Sequence, residues 1–220
     1  MIGGLDKYYQ IAKCFRDEDL RADRQPEFTQ VDIEASFVST EEIIELGEHL
    51  ITSLLSEFTD YQKAEVPRIT YKESIEKYGC DKPDLRIPLE LNEISELVKD
   101  EEFKVFSGPA NDHASRVVAL KVPEAASMTR KKIDEYTDYV GKLGAKGLAY
   151  IKVVDLDQEN GLQSPILKFF QKETIDSILS SLNVQNNDII FFGAGKADIV
   201  NLSMSSLIKR LGEDLSLMNS

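Results

Sequence analysis

The segment FRDEDLRADRQPEFTQVD, from Phe15 to Asp32, is densely charged and lies between two stretches in which residues alternate in character. Side chains of a β-strand alternate between its two faces, so each stretch predicts a strand with one largely apolar side. The apolar side is expected to carry these residues: Tyr9, Ile11, Phe15, Val31, Ile33, Ala35 and Phe37. The other side is expected to carry these: Arg16, Glu18, Gln30, Asp32 and Glu34. The sequence therefore predicts a β-hairpin with one dry face and one charged face, a pattern typical of a binding platform.

The charged face has two interpretations. Arg16 offers a rigid fork for bidentate binding of phosphate or carboxylate, Glu18 could accept hydrogen bonds from an exocyclic amine, and Asp32 could neutralise an ammonium group. Arg21 and Arg24 make the tip basic, as a local contact with RNA requires. The alternative is cross-strand ion pairing, in which these charges satisfy one another. The pattern alone leaves both open.

The composition is that of an ordinary globular chain: 220 residues, 42% hydrophobic, 30% charged, with a net charge of −13. That charge argues against a broad nucleic-acid surface, so DNA is not an expected partner and any RNA contact must be local. Cys14 and Cys80 lack the spacing of a zinc site or a disulfide framework, and His49 and His113 are isolated, so no metal site is expected. No apolar run approaches the ~20 residues that span a bilayer, and the start lacks a signal-peptide pattern. A reduced, cytoplasmic setting is expected.

The helix predicted after the hairpin begins at a capping box. Ser39 and Glu42 have the required spacing, and the following residues form one apolar stripe at helical period: Ile43, Leu46, Leu50, Leu54 and Phe58. We expect this stripe to pack in a core. A short strand at 68–71 and a second helix come next, with Thr70 and Glu73 as its cap and Gly79 at a left-handed C-terminus.

The segment CDKPDLRIP, residues 80–88, contains two prolines and is the preferred boundary between two domains. Beyond it, strands are predicted at 103–107, 116–122, 148–154 and 188–192, with helices at 129–143, 164–182 and around 200–211. Leaving aside the helices inserted before the fourth strand, the order is ββαββα. A two-layer sheet with helices on one face is the simplest packing for that order.

Two features of the second half could suggest ligand binding. GAGK, residues 193–196, follows an apolar strand, but a phosphate-binding P-loop needs GxxxxGK followed by Ser or Thr, and here Ala197 follows the lysine. The glycines are therefore interpreted as a strand-to-helix turn. Arg130, Lys131 and Lys132 occupy the first turn of a predicted helix, where they oppose the helix dipole. A solvated basic face is favoured there over a functional contact.

The charged segment resembles a known motif. FRDED followed by RADRQPEFTQVD is similar to motif 2 of class II aminoacyl-tRNA synthetases, in the form found in the bacterial aspartyl type. The class-wide pattern of Phe-Arg-x-Glu, a variable loop and Phe-x-x-x-Asp is met by these residues: Phe15, Arg16, Glu18, Phe28 and Asp32. The resemblance continues in four later segments: YGCDKPDLR at 78–86, GPAND at 108–112, TRKKIDEY at 129–136 and GAKGLAYIKV at 144–153.

The last three of these segments resemble the GAD domain, an insertion between motifs 2 and 3. The resemblance implies an α+β fold: a partial antiparallel class II sheet, made of the motif 2 hairpin plus helices, and an inserted two-layer GAD domain of ββαββα order. The implied domains are 1–86 for the partial catalytic domain, 87–215 for the GAD domain, and 216–220 for the return toward the catalytic domain.

The activity implied by the resemblance has two steps. L-aspartate and ATP give aspartyl-adenylate, and the aspartyl group then passes to tRNA(Asp). Arg16 would be the catalytic residue, holding the α-phosphate and the aspartate carboxylate, and Asp32 would receive the amino group. Arg21 and Arg24 would approach the acceptor end of the tRNA. The ATP contacts of the motif fall on four residues: Arg16, Asp17, Glu18 and Gln25.

Other parts of the family are not recognised in the sequence. These are the anticodon-binding domain, motif 1 with the homodimer interface, the substrate loop before motif 2, motif 3, and the late acidic residues that hold Mg²⁺. We therefore expect a fragment in which Met1 is an internal methionine and which has no synthetase activity alone. The alternative is a free-standing GAD-type module that binds tRNA or a protein without catalysis. The resemblance leaves open whether tRNA(Asn) is also charged.

Overall fold

The predicted hairpin is present at the start of the chain. In the computed structural model, which describes residues 1–17, 19, 24–62, 65–158 and 160–218, strand β1 (Lys7–Phe15) pairs antiparallel with β2 (Glu27–Ala35). The register aligns Lys7 with Ala35 and Phe15 with Glu27. The two strands form a two-stranded sheet of their own in the described part of the chain. The edges of the hairpin are therefore unpaired there.

Helix α1 (Thr40–Phe58) has the predicted capping box. The Ser39 hydroxyl accepts from the Glu42 amide, and the Glu42 carboxylate accepts from the Ser39 amide at 2.7 Å. The predicted core packing of the helix is wrong: the five stripe residues are 37–77% exposed. Contacts lie instead on the polar side of the helix, where the Arg68 guanidinium pairs with Glu41 at 2.5 Å and Glu48 at 3.2 Å. Helical period fixes which residues share a face, but not whether that face is covered.

The elements that follow α1 are mostly helical. They are α2 (Tyr71–Tyr78), β3 (Leu91–Glu93), α3 (Ser95–Val98), α4 (Lys104–Ala110), β4 (Ser115–Val122), α5 (Arg130–Gly141), β5 (Ala149–Val153), β6 (Leu162–Gln163), a 3₁₀ turn (Leu167–Phe169), α6 (Lys172–Ser181), β7 (Ile189–Lys196) and α7 (Ala197–Asp214). The Thr70 cap of α2 and the left-handed Gly79 at its end are confirmed. The expected strand at 68–71 is wrong, because the backbone there leads directly into α2.

The strand expected at 103–107 is also wrong, since α4 occupies those residues. Phe103 and Phe106 are three positions apart, and their ring centroids lie 5.4 Å apart, as helical spacing allows. A short apolar run does not distinguish strand from buried helix. The first strand of the sheet is β3 instead. With the short β6 and helices α3, α4 and α6 set aside, the order from β3 to α7 is still ββαββα.

The second sheet is antiparallel, with strand order β3-β4-β7-β5-β6. Alternate side chains enter two separate cores. Val118, Leu120 and Phe191 face α5 and α7, whereas Val117 and Phe192 face α3, α4 and α6. The α+β class is confirmed, but helices cover both faces of this sheet, so the structure adds a third layer to the two that were expected. Strands buried on both faces need continuous apolar runs, such as VVAL in β4.

The described chain divides into two compact units, Met1–Arg68 (unit 1) and Ile69–Ser220 (unit 2). Unit 2 contains both cores of the five-stranded sheet, together with α2. It therefore begins before the GAD domain expected at residue 87, and the limits of that domain stay a prediction. No helix within the described ranges is long and apolar enough to cross a membrane.

Arg116 in β4 is a charged residue inside unit 2, only 8% exposed. Its guanidinium donates to Glu93 Oε2 at 2.9 Å and Asn201 Oδ1 at 2.8 Å. It also donates to the carbonyl oxygens of Ile75 at 3.1 Å and Glu76 at 3.0 Å. These carbonyls belong to the last turn of α2, where the Ile75 carbonyl also accepts from the Gly79 amide at 3.0 Å. One side chain thus joins α2 to β3, β4 and α7.

Replacing Gly193 by alanine is expected to destabilise unit 2 by about 2 kcal/mol, because overfilling a packed core forces side chains out of position. A Cβ at this position of β7 would lie 2.7 Å from Met204 Cγ, which is buried in α7. Urea unfolding measures the change. The control is Gly141→Ala in α5, where the added Cβ meets open space; equal stability of the two variants would contradict the prediction.

Candidate functional site

The polar face of the hairpin is a row of side chains fixed by the register. Gln10 lies opposite Asp32, Ala12 opposite Gln30, and Cys14 opposite Phe28. Arg16 continues this row beyond the end of β1, where its amide donates to the Pro26 carbonyl at 2.9 Å. The predicted positions of Arg16 and Asp32 on one face follow directly from this pairing.

Arg16 lies against an aromatic ring. Its guanidinium carbon is 5.2 Å from the centroid of Phe28, a cation–π distance. Arg16 is exposed, whereas Phe28 is half-buried. Phe28 and Asp32 are four residues apart on β2, about 14 Å at the usual rise of a strand. A ligand held between the guanidinium and the Asp32 carboxylate would therefore lie along the strand.

The structure places the other predicted site residues only in part. Asp17, Arg24 and Gln25 are exposed near the tip of the hairpin, where β1 leads into β2. Glu18 and Arg21 lie outside the described residues, so their predicted contacts stay predictions. Among the described residues, no hydrogen bond or ion pair joins Asp17 or Gln25 to Asp32, so their assignment continues to depend on the resemblance.

Gln10 is a site residue that sequence reasoning missed. Its amide nitrogen Nε2 donates to Asp32 Oδ2 at 3.3 Å across the two strands. Gln10 precedes the recognisable motif and carries no charge, so neither motif nor charge pattern pointed to it. The strand register alone could have found it, because directly opposed residues share a face.

The opposite face of the hairpin is apolar but not dry, which corrects the expectation. Tyr9, Ile11 and Phe15 are 71–74% exposed, and Val31 and Ile33 are 54% and 41% exposed. An ion pair crosses the strands on this same face, between Lys13 and Glu27 at 2.9 Å. On the polar face, the hydrogen bond from Gln10 to Asp32 crosses the strands, and so do the contacts of Cys14 Sγ with Gln30 Oε1 at 3.9 Å and of Arg16 with Phe28.

The GAGK segment does not form a phosphate loop. All four residues belong to β7 and pair with β4, from Gly193 opposite Val118 to Lys196 opposite Ser115. The Lys196 ammonium lies 2.7 Å from Asp112 Oδ2 and holds the pKa of that carboxyl well below its usual range. The glycines were expected to form a strand-to-helix turn, but they lie within the strand. β7 continues through Lys196, and α7 begins at Ala197.

The basic first turn of α5 is largely ion-paired. Arg130 Nε lies 3.2 Å from Asp134, and Lys132 Nζ lies 2.7 Å from Asp214 at the end of α7. Asp214 also accepts from Tyr136 and Arg210, each at 3.0 Å. The Lys132 contact, followed by those of Arg210 and Tyr136, lowers the pKa of Asp214 to about 2 against the opposing effect of burial. These residues join α5 to α7.

The Asp214 cluster predicts a pH dependence. The folded pKa of Asp214 is below its ordinary value of 3.8. The contribution of the ionised carboxylate to the free energy of unfolding is therefore complete above about pH 4 and is lost as pH falls through 2. Asp214→Asn should cost on the order of 1–2 kcal/mol at pH 7 and flatten the acid limb of stability. Urea unfolding from pH 7 to pH 2.5 measures this, with the exposed carboxylate variant Asp134→Asn as control. An unchanged acid limb in Asp214→Asn would contradict the prediction.

No group of three or more His, Cys, Asp or Glu side chains close enough to hold a metal ion occurs among the described residues. The candidate site on the hairpin has an exposed guanidinium at one end, a half-buried carboxylate at the other, and neutral side chains between them.

Comparison with known proteins places this hairpin in a family. The sequence matches the class II tRNA synthetases (D, K and N) over residues 1–194. This chain belongs to the class II tRNA synthetase family. It is also 54% identical, over 222 aligned residues, to an aspartate–tRNA(Asp/Asn) ligase of Legionella pneumophila (strain Corby). That alignment covers all of this chain and 37% of the ligase, so the chain spans little more than a third of this curated relative.

These matches confirm the resemblance drawn from the charged segment. In a class II tRNA synthetase the hairpin described above is the motif 2 hairpin, and the match includes both units. The family membership is compatible with the strand register, which puts Arg16 and Asp32 on one face. It does not by itself assign a role to either residue.

Proposed function

We propose that residues 1–35 form the motif 2 part of an aspartyl-adenylate site. In the longer enzyme, L-aspartate reacts with ATP to give aspartyl-adenylate, and the aspartyl group is transferred to the 3′ end of tRNA(Asp). The supporting observation is the hairpin register, which sets the Arg16 guanidinium and the Asp32 carboxylate on one face. The 54% identity to an aspartate–tRNA(Asp/Asn) ligase supports aspartate as the amino acid.

Arg16 carries the central role in this proposal. Its planar fork binds the α-phosphate of ATP and the carboxylate of aspartate, the two groups that must react with each other. The other ATP contacts are assigned to Asp17, Glu18 and Gln25. The reaction needs no protein nucleophile, because holding the reactants in line and stabilising charge at the α-phosphate lower the barrier. Arg16 does both from one side chain.

Asp32 recognises the second charged group of aspartate, and the tip of the hairpin recognises the tRNA. The Asp32 carboxylate binds the ammonium group of aspartate. Arg21 and Arg24 approach the acceptor end of the tRNA, where basic residues meet the phosphate backbone. Mg²⁺ would neutralise phosphate charge during adenylate formation, and we assign its ligands to segments of the longer enzyme outside residues 1–220. That enzyme is proposed to be a cytoplasmic homodimer.

The chain of 220 residues alone is proposed to be inactive. The test is ATP–pyrophosphate exchange with L-aspartate, measured on the chain and on a full-length ligase in which residues 1–220 replace the matching segment. We expect exchange from the chimeric ligase and none from the chain. Exchange by the chain alone would overturn the proposed dependence on other segments, and a folded but inactive chimera would count against the proposed activity.

A second function, an interaction module without catalysis, is favoured by one observation. Unit 2 has two closed cores, whereas unit 1 exposes the apolar faces of its hairpin and of α1. A module of this kind would bind tRNA through unit 2, with affinity that falls as salt rises. Binding of tRNA(Asp) by the 220-residue chain at 50 and 200 mM salt, together with an inactive chimera, would favour this second function over the first.

A further inference from the structure

Gln10 lies directly across the hairpin from Asp32, and its amide donates to Asp32 Oδ2 at 3.3 Å. We propose that Gln10 is a positioning residue, which orients the Asp32 carboxylate for the ammonium group of aspartate. This inference rests on the proposed function, since it presumes that Asp32 binds that ammonium. Gln10 itself acts on the substrate only through the carboxylate.

The neutral character of Gln10 is the central point. A carboxylate that must bind a cation has to be held in orientation without losing its charge, and an amide N–H does this. An ammonium or guanidinium donor in the same place would neutralise the carboxylate and compete with the substrate. The amide holds one oxygen, Oδ2, and the carboxylate keeps both its negative charge and its second oxygen.

The same hairpin contains the contrasting arrangement. On the opposite face, Lys13 lies 2.9 Å from Glu27, a cross-strand pair in which a cation neutralises the carboxylate. Both pairs join β1 to β2, and both contain one donor and one acidic acceptor. Only the pair on the face of Arg16 uses an uncharged donor. This difference between the two faces is what a cation-binding role for Asp32 requires.

The residues next to this pair are consistent with a ligand in front of Asp32. Ala12 follows Gln10 on the same face of β1 and adds little bulk. Beyond it lie Cys14 and then Arg16, whose guanidinium is drawn over Phe28. On the side of Asp32 that faces Arg16, β1 contributes the small Ala12 and β2 contributes Gln30, so both neighbouring side chains there are uncharged.

The test uses a full-length ligase carrying residues 1–220 and measures KM and kcat for ATP–pyrophosphate exchange. Gln10→Met, which keeps the size but loses the donor, should raise KM for L-aspartate about 10-fold, with kcat and the KM for ATP unchanged. Gln10→Lys should raise the KM for L-aspartate further, because the lysine ammonium competes with the ammonium of the substrate for Asp32. In an Asp32→Asn background, Gln10→Met should have no additional effect. Thr29→Val, on the opposite face, is the control and should change nothing.

The outcomes separate this inference from the proposed function. If Asp32→Asn leaves KM for aspartate unchanged, the assigned role of Asp32 is wrong. If Asp32→Asn raises KM but Gln10→Met does not, the inference about Gln10 alone is wrong. An unchanged KM for L-aspartate in Gln10→Lys would also overturn the inference. That result would show that any hydrogen-bond donor at residue 10 is enough, as for a purely structural bond. In the 220-residue chain, the side-chain amide NMR signals of Gln10 should shift in Asp32→Asn and not in Asp134→Asn; unchanged signals would overturn the pairing itself.

Discussion

Replacing Arg16 by alanine in a full-length ligase that carries residues 1–220 should lower the rate of aspartyl-adenylate formation about 10³-fold, the effect of removing a donor that stabilises developing charge. The variant keeps the hairpin closed, because the bond from the Arg16 amide to the Pro26 carbonyl is made by the backbone. The loss of the cation–π contact with Phe28 affects an exposed arginine, so the folded structure should change little. The rate loss therefore reports on chemistry.

Two further variants make this prediction specific. Arg16→Lys keeps the charge but loses the bidentate fork, and should still lower the rate about 10²-fold. Arg130→Ala removes an equally exposed arginine from α5, where it pairs with Asp134, and should leave the rate unchanged. ATP–pyrophosphate exchange measures all three. Retention of more than a tenth of the exchange rate by Arg16→Ala would show that another group holds the phosphate.

Arg116→Met should destabilise unit 2 by about 3 kcal/mol, because it removes the four hydrogen bonds that a buried charged group donates. Methionine fills much of the same space, so the loss reports on hydrogen bonding and not on a cavity. Four acceptors lose the guanidinium, and two of them are carbonyls in the last turn of α2, Ile75 and Glu76, of which Ile75 keeps its bond from the Gly79 amide. Amide exchange should therefore increase in α2 before it increases in β4.

Urea unfolding and residue-level hydrogen exchange measure the effect of Arg116→Met. The matched control is Arg130→Met, an exposed arginine in an i,i+4 ion pair, for which no measurable change is expected. Arg116→Lys tests geometry, because one ammonium cannot reach acceptors on α2, β3 and α7 together, and it should recover only part of the loss. Full protection of α2 in Arg116→Met would refute the linking role of this arginine.

Local rules predicted the local structure well. The Ser39 capping box, the left-handed Gly79 and the alternation of the hairpin all involve residues within a few positions of one another, and each is present. The strand expected at 103–107 failed because Phe103 and Phe106 suit a helix as well as a strand. The choice is made by aromatic neighbours distant in sequence, Phe169 and Phe170, which pack on Phe103.

Burial was the property that sequence periodicity could not supply. The α1 stripe has a regular helical period and yet is exposed, while the polar face of the hairpin holds the half-buried side chains of Phe28 and Asp32. The third layer of unit 2 was not predicted, although the continuous apolar run VVAL in β4 is typical of a strand that is covered on both faces. Gln10 was missed for a different reason, because its importance depends on the residue opposite and not on its own type.

The exposed apolar faces of unit 1 have a thermodynamic consequence. A molecule that recognises Ile11 and Phe15 as arranged on the hairpin, or Leu50 and Leu54 as arranged on α1, binds the folded unit in preference to the unfolded one. By mass action such binding raises the melting temperature of unit 1 in proportion to the logarithm of the concentration of that molecule. The stability of unit 1 is thus a property of the solution as much as of the chain, whereas that of unit 2 is set by its own cores.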